Sequence, residues 1–293
     1  MSGPLHFEAP TALEYFAALV ADDASLSVLE AAVAVAQDDD PALDTQAVLA
    51  EIDALAARLR RRLAADAPPL QRLRLLNRYF FEELGFGGNV NDYYDRRNSY
   101  LPDVLRTRRG IPITLALLYV ELATQLGLDA AGVSFPGHFL VKLHVHTGGQ
   151  IGEVVIDPFD GRSLSREDLE ERLLPYRHQR GLVGDDEVPL GLFLQRAAPR
   201  AVIARLLRNL KEIHRGARDW QRLVAVQNRL VVLLPDAWDE RRDRGLAWAE
   251  IGRADLAAAD VAAYLERQPR AADAQALSRQ LAQWRAAPGT RLQ

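Results

Sequence analysis

The chain contains no cysteine, which removes disulfides, thiolate metal sites and a thiol nucleophile together. Lysine is scarce: of 36 basic residues only Lys142 and Lys211 are lysines, a bias read as that of a GC-rich bacterial coding sequence. Basic charge is not in surplus, because 40 acidic residues leave a formal net charge of −4, and this excludes generic nucleic-acid binding. No stretch approaches the roughly 18 consecutive apolar residues of a membrane span, and the opening MSGPLHFEAP lacks a basic segment followed by an apolar run. The expectation is a cytoplasmic protein with no membrane partner. What the chain does have is 293 residues of which 48% are apolar, enough to fill the core of one large domain or two ordinary ones.

Helical patterns dominate the first part: TALEYFAALV, ASLSVLEAAVAVAQ, and DTQAVLAEIDALAARLRRRLAA with Val48, Ile52, Leu55, Leu59 and Leu63 at three- and four-residue steps. DAPPLQRLRLLNRYFFEELGF follows, with prolines at a helix start and Gly85 after its last turn. RLRRRL (Arg58 to Leu63) reads as a solvated helix face and QDDDP (Gln37 to Pro41) as a helix-ending loop. Residues 87–109, GGNVNDYYDRRNSYLPDVLRTRR, are polar and aromatic with little periodicity, the composition of an ordered surface loop. GIPITLALLYVELATQLGL (Gly110 to Leu128) predicts a helix opening on Pro112. AAGVSFPGHFLVKLHVH and IGEVVIDPF predict two strands around a turn at Gly148-Gly149.

That turn sets a register. With two central residues, partners have numbers summing to 297, so His138 lies opposite Phe159 and Leu140 opposite Asp157. Because side chains alternate, Asp157 then shares a face with His138 at one diagonal step, roughly 7–8 Å between backbones and within reach of an imidazole. The C-terminal third is helical and repetitive. WQRLVAVQNRLVVLLPD and LAAADVAAYLERQPR superpose at an offset of 34 residues, pairing Ala225 with Ala259, Leu230 with Tyr264 and Pro235 with Pro269. A Gly-x-x-Asp loop (Gly216 to Asp219, Gly252 to Asp255) precedes each of these helices, and the pattern resembles tetratricopeptide repeats.

The order of helix start, Gly-His-aromatic and Asp-Pro resembles the transglutaminase-like superfamily. More narrowly, YDRRNSYLPDVLRTRRGIPITLALLYVELATQLGL, GVSFPGHFLV and VIDPFDG are similar to a cysteine-less bacterial branch carrying tetratricopeptide repeats, over roughly residues 30–270. The resemblance implies an α+β chain. Its transglutaminase-like domain is expected over 1–195, as a helical subdomain (about 10–86) and a papain-like core with an antiparallel sheet (about 87–195), and an all-α repeat domain over 196–293. It also implies triad positions at Pro112, His138 and Asp157, with proline where the family's cysteine opens the helix. Proline supplies neither a thiol nor the backbone N–H that helps hold an oxyanion.

Three functions are therefore open. In the first, a non-catalytic adaptor binds a protein or peptide through residues 203–285 and through a cleft formed by His138 and the loop. That loop offers Tyr94, Asp95, Arg97, Asn98 and Ser99, whose guanidinium, amide and aromatic groups suit peptide or carboxylate recognition; the alternative for its charges is internal pairing. In the second, an amidase or acyltransferase uses Ser99 or Thr114 as nucleophile and His138 as base. In the third, the triad remnant only stabilises the fold. His144 and His146 share a strand face with His138 by parity, but His138 lies about 20 Å from His144 by strand rise, so no metal site and no cofactor are expected.

Overall fold

The computed structural model describes residues 10–147, 150–182 and 188–286. The helices of the first part are α1 (Ala12–Leu19), α2 (Val28–Ala34), α3 (Thr45–Arg60) and α4 (Pro69–Asn77), the last running into a π-helical turn at Arg78–Glu83. Their starts are chemically marked. Thr11, Ser27 and Asp44 each accept a backbone N–H of the first turn on a side-chain oxygen, and Pro69 opens α4. Gly85 sits at φ +71° just beyond the π-helical turn, a conformation that favours glycine.

Residues 87–110 hold more structure than their composition suggests. Gly87–Gly88 (β1) pairs in parallel with Arg109–Gly110 (β2), and between them lie a 3₁₀ turn at Arg96–Ser99 and α5 (Leu101–Thr107). A helix of seven residues is too short for periodicity to reveal it. Then comes α6 (Pro112–Gln125), with Pro112 in its first turn and Gly127 at φ +71° after its end. Buried residues on α6 include Ile113, Leu115, Ala116, Leu118, Tyr119, Leu122 and Ala123, so this is a central helix. Each large apolar side chain buried there stabilises the fold by about 1.5–3 kcal/mol.

The sheet has order β3-β4-β5-β6, all antiparallel: β3 (Asp129–Val133), β4 (Leu140–Thr147), β5 (Gln150–Ile156) and β6 (Ser163–Leu164). The β4/β5 pairing runs from Val141 opposite Ile156 to Thr147 opposite Gln150, the register summing to 297; Gly148 and Gly149 themselves lie outside the described residues. One strand reading is corrected. AAGVSFPGHFLVKLHVH is two strands, because Pro136 cannot donate to a ladder and Gly137 takes φ +71°, breaking the run between Val133 and Leu140. His138 therefore stands in the loop before β4, and the shared-face parity inferred for it with His144 and His146 does not apply. Val133, Phe135, Leu140, Val155 and Leu164 pack under the sheet with Leu169 and Leu173 of α7 (Arg166–Arg180) and with α8 (Leu190–Phe193).

Further helices are α9 (Pro199–Gly216), α10 (Trp220–Leu233), α11 (Trp238–Glu250), α12 (Ala254–Arg267) and α13 (Ala274–Ala286). The bounds of α10 and α12 differ by the 34 residues of the repeat. The chain divides into two compact units: one comprises Ser27–Ala36 with Leu43–Leu206, the other the residues up to Leu26, Gln37–Ala42 and those from Leu207 onward. This differs from a single cut at 195/196. Within the second unit Arg229 of α10 is fully buried, bonded twice to Asp38 (2.7 and 2.8 Å), with its guanidinium 4.8 Å from the Phe16 ring centre. An arginine buried that way needs its carboxylate, which explains why N-terminal residues belong with the C-terminal helices.

Candidate functional site: a histidine and an aspartate beside the start of a proline-opened helix

Asp157 directly follows β5, and His138 stands two residues before β4. The imidazole nevertheless reaches the carboxylate: His138 Nε2 lies 2.8 Å from Asp157 Oδ1. Asp157 is 3% exposed and accepts two further bonds, from the Phe159 N–H on Oδ1 (3.0 Å) and from Arg172 Nη1 of α7 on Oδ2 (2.8 Å). Burial alone raises a carboxyl pKa, but here the hydrogen bonds from His138 and Arg172 outweigh it and hold Asp157 down at about 2. An ionised carboxylate only accepts, so Nε2 of His138 donates. Nδ1 is then the nitrogen left over. It has no partner among the described residues, and the histidine side chain is 25% exposed.

Backbone bonds tie this pair to the start of α6. Gly161 N–H donates to Asp157 O and Asp157 N–H to Arg162 O, closing a tight turn. Gly88 N–H donates to Phe159 O at 2.7 Å, and the Phe159 ring lies so close that a Cβ on Gly88 would fall 2.2 Å from it. Only glycine is accommodated there. Asn89 N–H then donates to Gly110 O, and Gly110 precedes Ile111 and Pro112. β1 is thus the bridge between the aspartate turn and the helix start. Beside it opens a cavity of about 440 Å³ lined by Phe81, Phe86, Asn89, Arg109, Phe159 and Asp160.

Both hydroxyls considered as substitute nucleophiles are sealed. Thr114 is fully buried, and its hydroxyl accepts the Ile111 N–H (3.2 Å) and donates to Asn98 O (2.8 Å), a fixture of the first turn. Ser99 is also 0% exposed, and its Oγ has no partner among the described residues. The loop residues separate in the same way. Asn98, expected at a ligand surface, is buried: its amide nitrogen donates to Asp92 O and Tyr93 O, and its amide oxygen accepts from Asn89. Asp95 and Arg97 pair with each other at 2.5 Å, which is the internal pairing. Tyr94 is 77% exposed. Its ring packs on Tyr93, whose own ring lies 6.1 Å from that of Phe159.

His144 uses both ring nitrogens on carboxylates, Asp129 (2.8 Å) and Glu153 (3.1 Å); the side chain of His146 is outside what is described. Among the described residues no group of three or more potential ligands is placed to hold a metal. Two side chains of the site carried no sequence signal. Arg172 lies 15 residues beyond Asp157 with nothing marking the pairing, and Arg205 of α9 donates from Nη1 to Ser134 Oγ (2.7 Å) and Phe135 O (3.1 Å), against the loop that carries His138.

A histidine paired with a carboxylate beside the N-terminus of a buried helix, followed by helical hairpins of 34-residue period, defines a papain-like core with tetratricopeptide repeats. The comparisons agree. The transglutaminase-like superfamily pattern matches residues 46–208 and a tetratricopeptide-repeat pattern residues 210–282, and the chain belongs to the transglutaminase-like superfamily. It is 38% identical to the UPF0162 protein of Xylella fastidiosa (strain 9a5c) over 249 residues, 85% of this chain and 86% of that one. It is 32% identical to a UPF0162 protein of Pseudomonas aeruginosa over 65% of this chain and 66% of that one. A shorter segment of 72 residues is 44% identical to human F-box only protein 21, covering 25% of this chain and 12% of that protein. No solved structure matches.

Proposed function

We propose that this chain is a non-catalytic member of its superfamily, acting in the bacterial cytoplasm as an adaptor that binds a protein or peptide. The site around His138 takes a polar part of the ligand, and residues 203–285 engage a protein partner. One observation carries the reading: Pro112 opens α6 in a chain without cysteine, while the His138–Asp157 pair beside it is intact. A helix N-terminus favours a thiolate and its N–H groups favour an oxyanion. Proline provides neither thiol nor N–H, so the position suits folding and not thiol chemistry.

Two observations weigh against the alternatives. The full burial of Ser99 and Thr114 opposes an amidase or acyltransferase built on either hydroxyl. The exposure of the His138 side chain and its spare Nδ1 oppose a purely structural remnant, in which both nitrogens would be spent. Repeats of the tetratricopeptide kind form concave surfaces that engage protein segments.

The test uses purified full-length protein. Glutamine peptides with a fluorescent amine, and simple peptide amides and esters, are expected to show no turnover. A peptide array is expected to show saturable binding that the double variant His138→Ala, Asp157→Ala weakens by about tenfold or more. Turnover by the wild type that His138→Ala abolishes overturns the proposal.

A further inference from the structure

Arg205 is half-buried, and its surroundings are unusual for this chain. The carbonyl oxygen of Phe135 accepts both its Nη1 and the backbone N–H of His138, each at 3.1 Å, so one oxygen holds the arginine against the histidine loop. The guanidinium carbon lies 5.5 Å from the centre of the Phe139 ring, on the other side of His138 in sequence. Arg172, Arg177 and Arg196 of the same unit each face a carboxylate. Arg205 faces none among the described residues, and its Nε and Nη2 have no protein partner there, yet they are not enclosed.

Partial burial without a counter-charge pulls the Arg205 guanidinium below its ordinary pKa, with the nearby Tyr93 phenol opposing. Asp157 is already balanced by Arg172, so Arg205 is the positive charge left over beside His138. A desolvated guanidinium is stabilised by an arriving anion, and its planar fork matches a carboxylate with two parallel N–H bonds. The Tyr93 ring lies 6.1 Å from that of Phe159, whose N–H is bonded to Asp157.

We infer that Arg205 seats a carboxylate of the ligand through Nε and Nη2, with His138 Nδ1 and the Tyr93 hydroxyl open to the rest of the molecule. The inference rests on reading this site as a binding site. A peptide C-terminus, an acidic side chain and a free small acid share this chemistry, and the probes below separate them.

Full-length protein carrying ¹⁵N-arginine is titrated with acetate, with N-acetyl-Ala-Ala, with the amide of that dipeptide and with N-acetyl-Asp amide, following the Nε–H resonance of Arg205. Free carboxylates are expected to move it saturably and the dipeptide amide to leave it in place. Arg205→Gln is expected to weaken carboxylate binding by about tenfold or more, with Arg205→Lys keeping part of it. The thermal midpoint of each variant reports the fold, and the lysine variant carries the test if the glutamine variant unfolds. Equal binding of the dipeptide and its amide, or binding untouched by either substitution, overturns the inference while leaving a peptide-binding site. Acetate binding that needs Arg205, with no peptide of any form bound, supports the inference and removes the peptide reading. No saturable shift with any carboxylate overturns the inference.

Discussion

His138 and Asp157 meet at 2.8 Å across the end of the β4/β5 hairpin, although neither lies in a strand. His138 is held in the loop before β4 by its N–H bond to Phe135 O, and the two side chains meet beyond the last ladder pair, Val141 with Ile156.

The partners of this pair are unequal, which predicts unequal losses. Asp157 accepts from His138, Arg172 and the Phe159 N–H, so Asp157→Ala strands three donors and is expected to cost about 2–3 kcal/mol. His138→Ala leaves the carboxylate with two donors and is expected to cost about 1 kcal/mol. Urea denaturation at neutral pH measures both; a larger loss for His138→Ala contradicts this account.

Acid stability carries the same signature. Asp157 is held at about 2, below its ordinary 3.8, so the folded state binds its proton less readily than the unfolded state. The group stabilises the fold fully above about pH 4, and that contribution, on the order of 2 kcal/mol, is lost as the pH falls through about 2. Asp157→Asn is expected to flatten the stability curve between pH 4 and 2. Identical slopes for the two proteins contradict it.

Placing a thiol at position 112 tests the proposed non-catalytic reading. Pro112 is buried, so Pro112→Cys is expected to fold and to react with a thiol reagent at least about tenfold more slowly than the urea-unfolded chain. Turnover of glutamine peptides by this variant is expected to stay at background. Rapid labelling in the native state, or turnover, shows an open catalytic position.

The repeats depend on one close approach. A Cβ on Gly245 of α11 would lie 2.9 Å from a methyl of Val261 on α12 and 3.3 Å from the Ala257 carbonyl oxygen. Gly245→Ala is therefore expected to destabilise by about 1–3 kcal/mol despite alanine's better helix propensity. An unchanged or raised thermal midpoint contradicts it.

What depends on local rules and on fixed periods was legible along the chain. Pro112 and Gly127 bracket α6 because each suits one end of a helix, and the 34-residue offset sets α10 against α12. The register summing to 297, from Val141 with Ile156 to Thr147 with Gln150, was legible as well, whereas His138 stands outside that ladder and reaches Asp157 from the loop before β4. The missing cysteine was legible from composition. Tertiary structure alone decided which polar groups are spent and which are free. Ser99, Asn98 and Thr114 read as reactive or binding groups until packing sealed them, and Arg172 and Arg205 carried no signal until the fold set them against Asp157 and the loop of His138. Asp38, in the turn after α2, and Phe16 of α1 meet Arg229 of α10, with Asp38 and Arg229 191 residues apart. Such partners are chosen by burial and charge balance in three dimensions, and spacing along the chain carries no record of either.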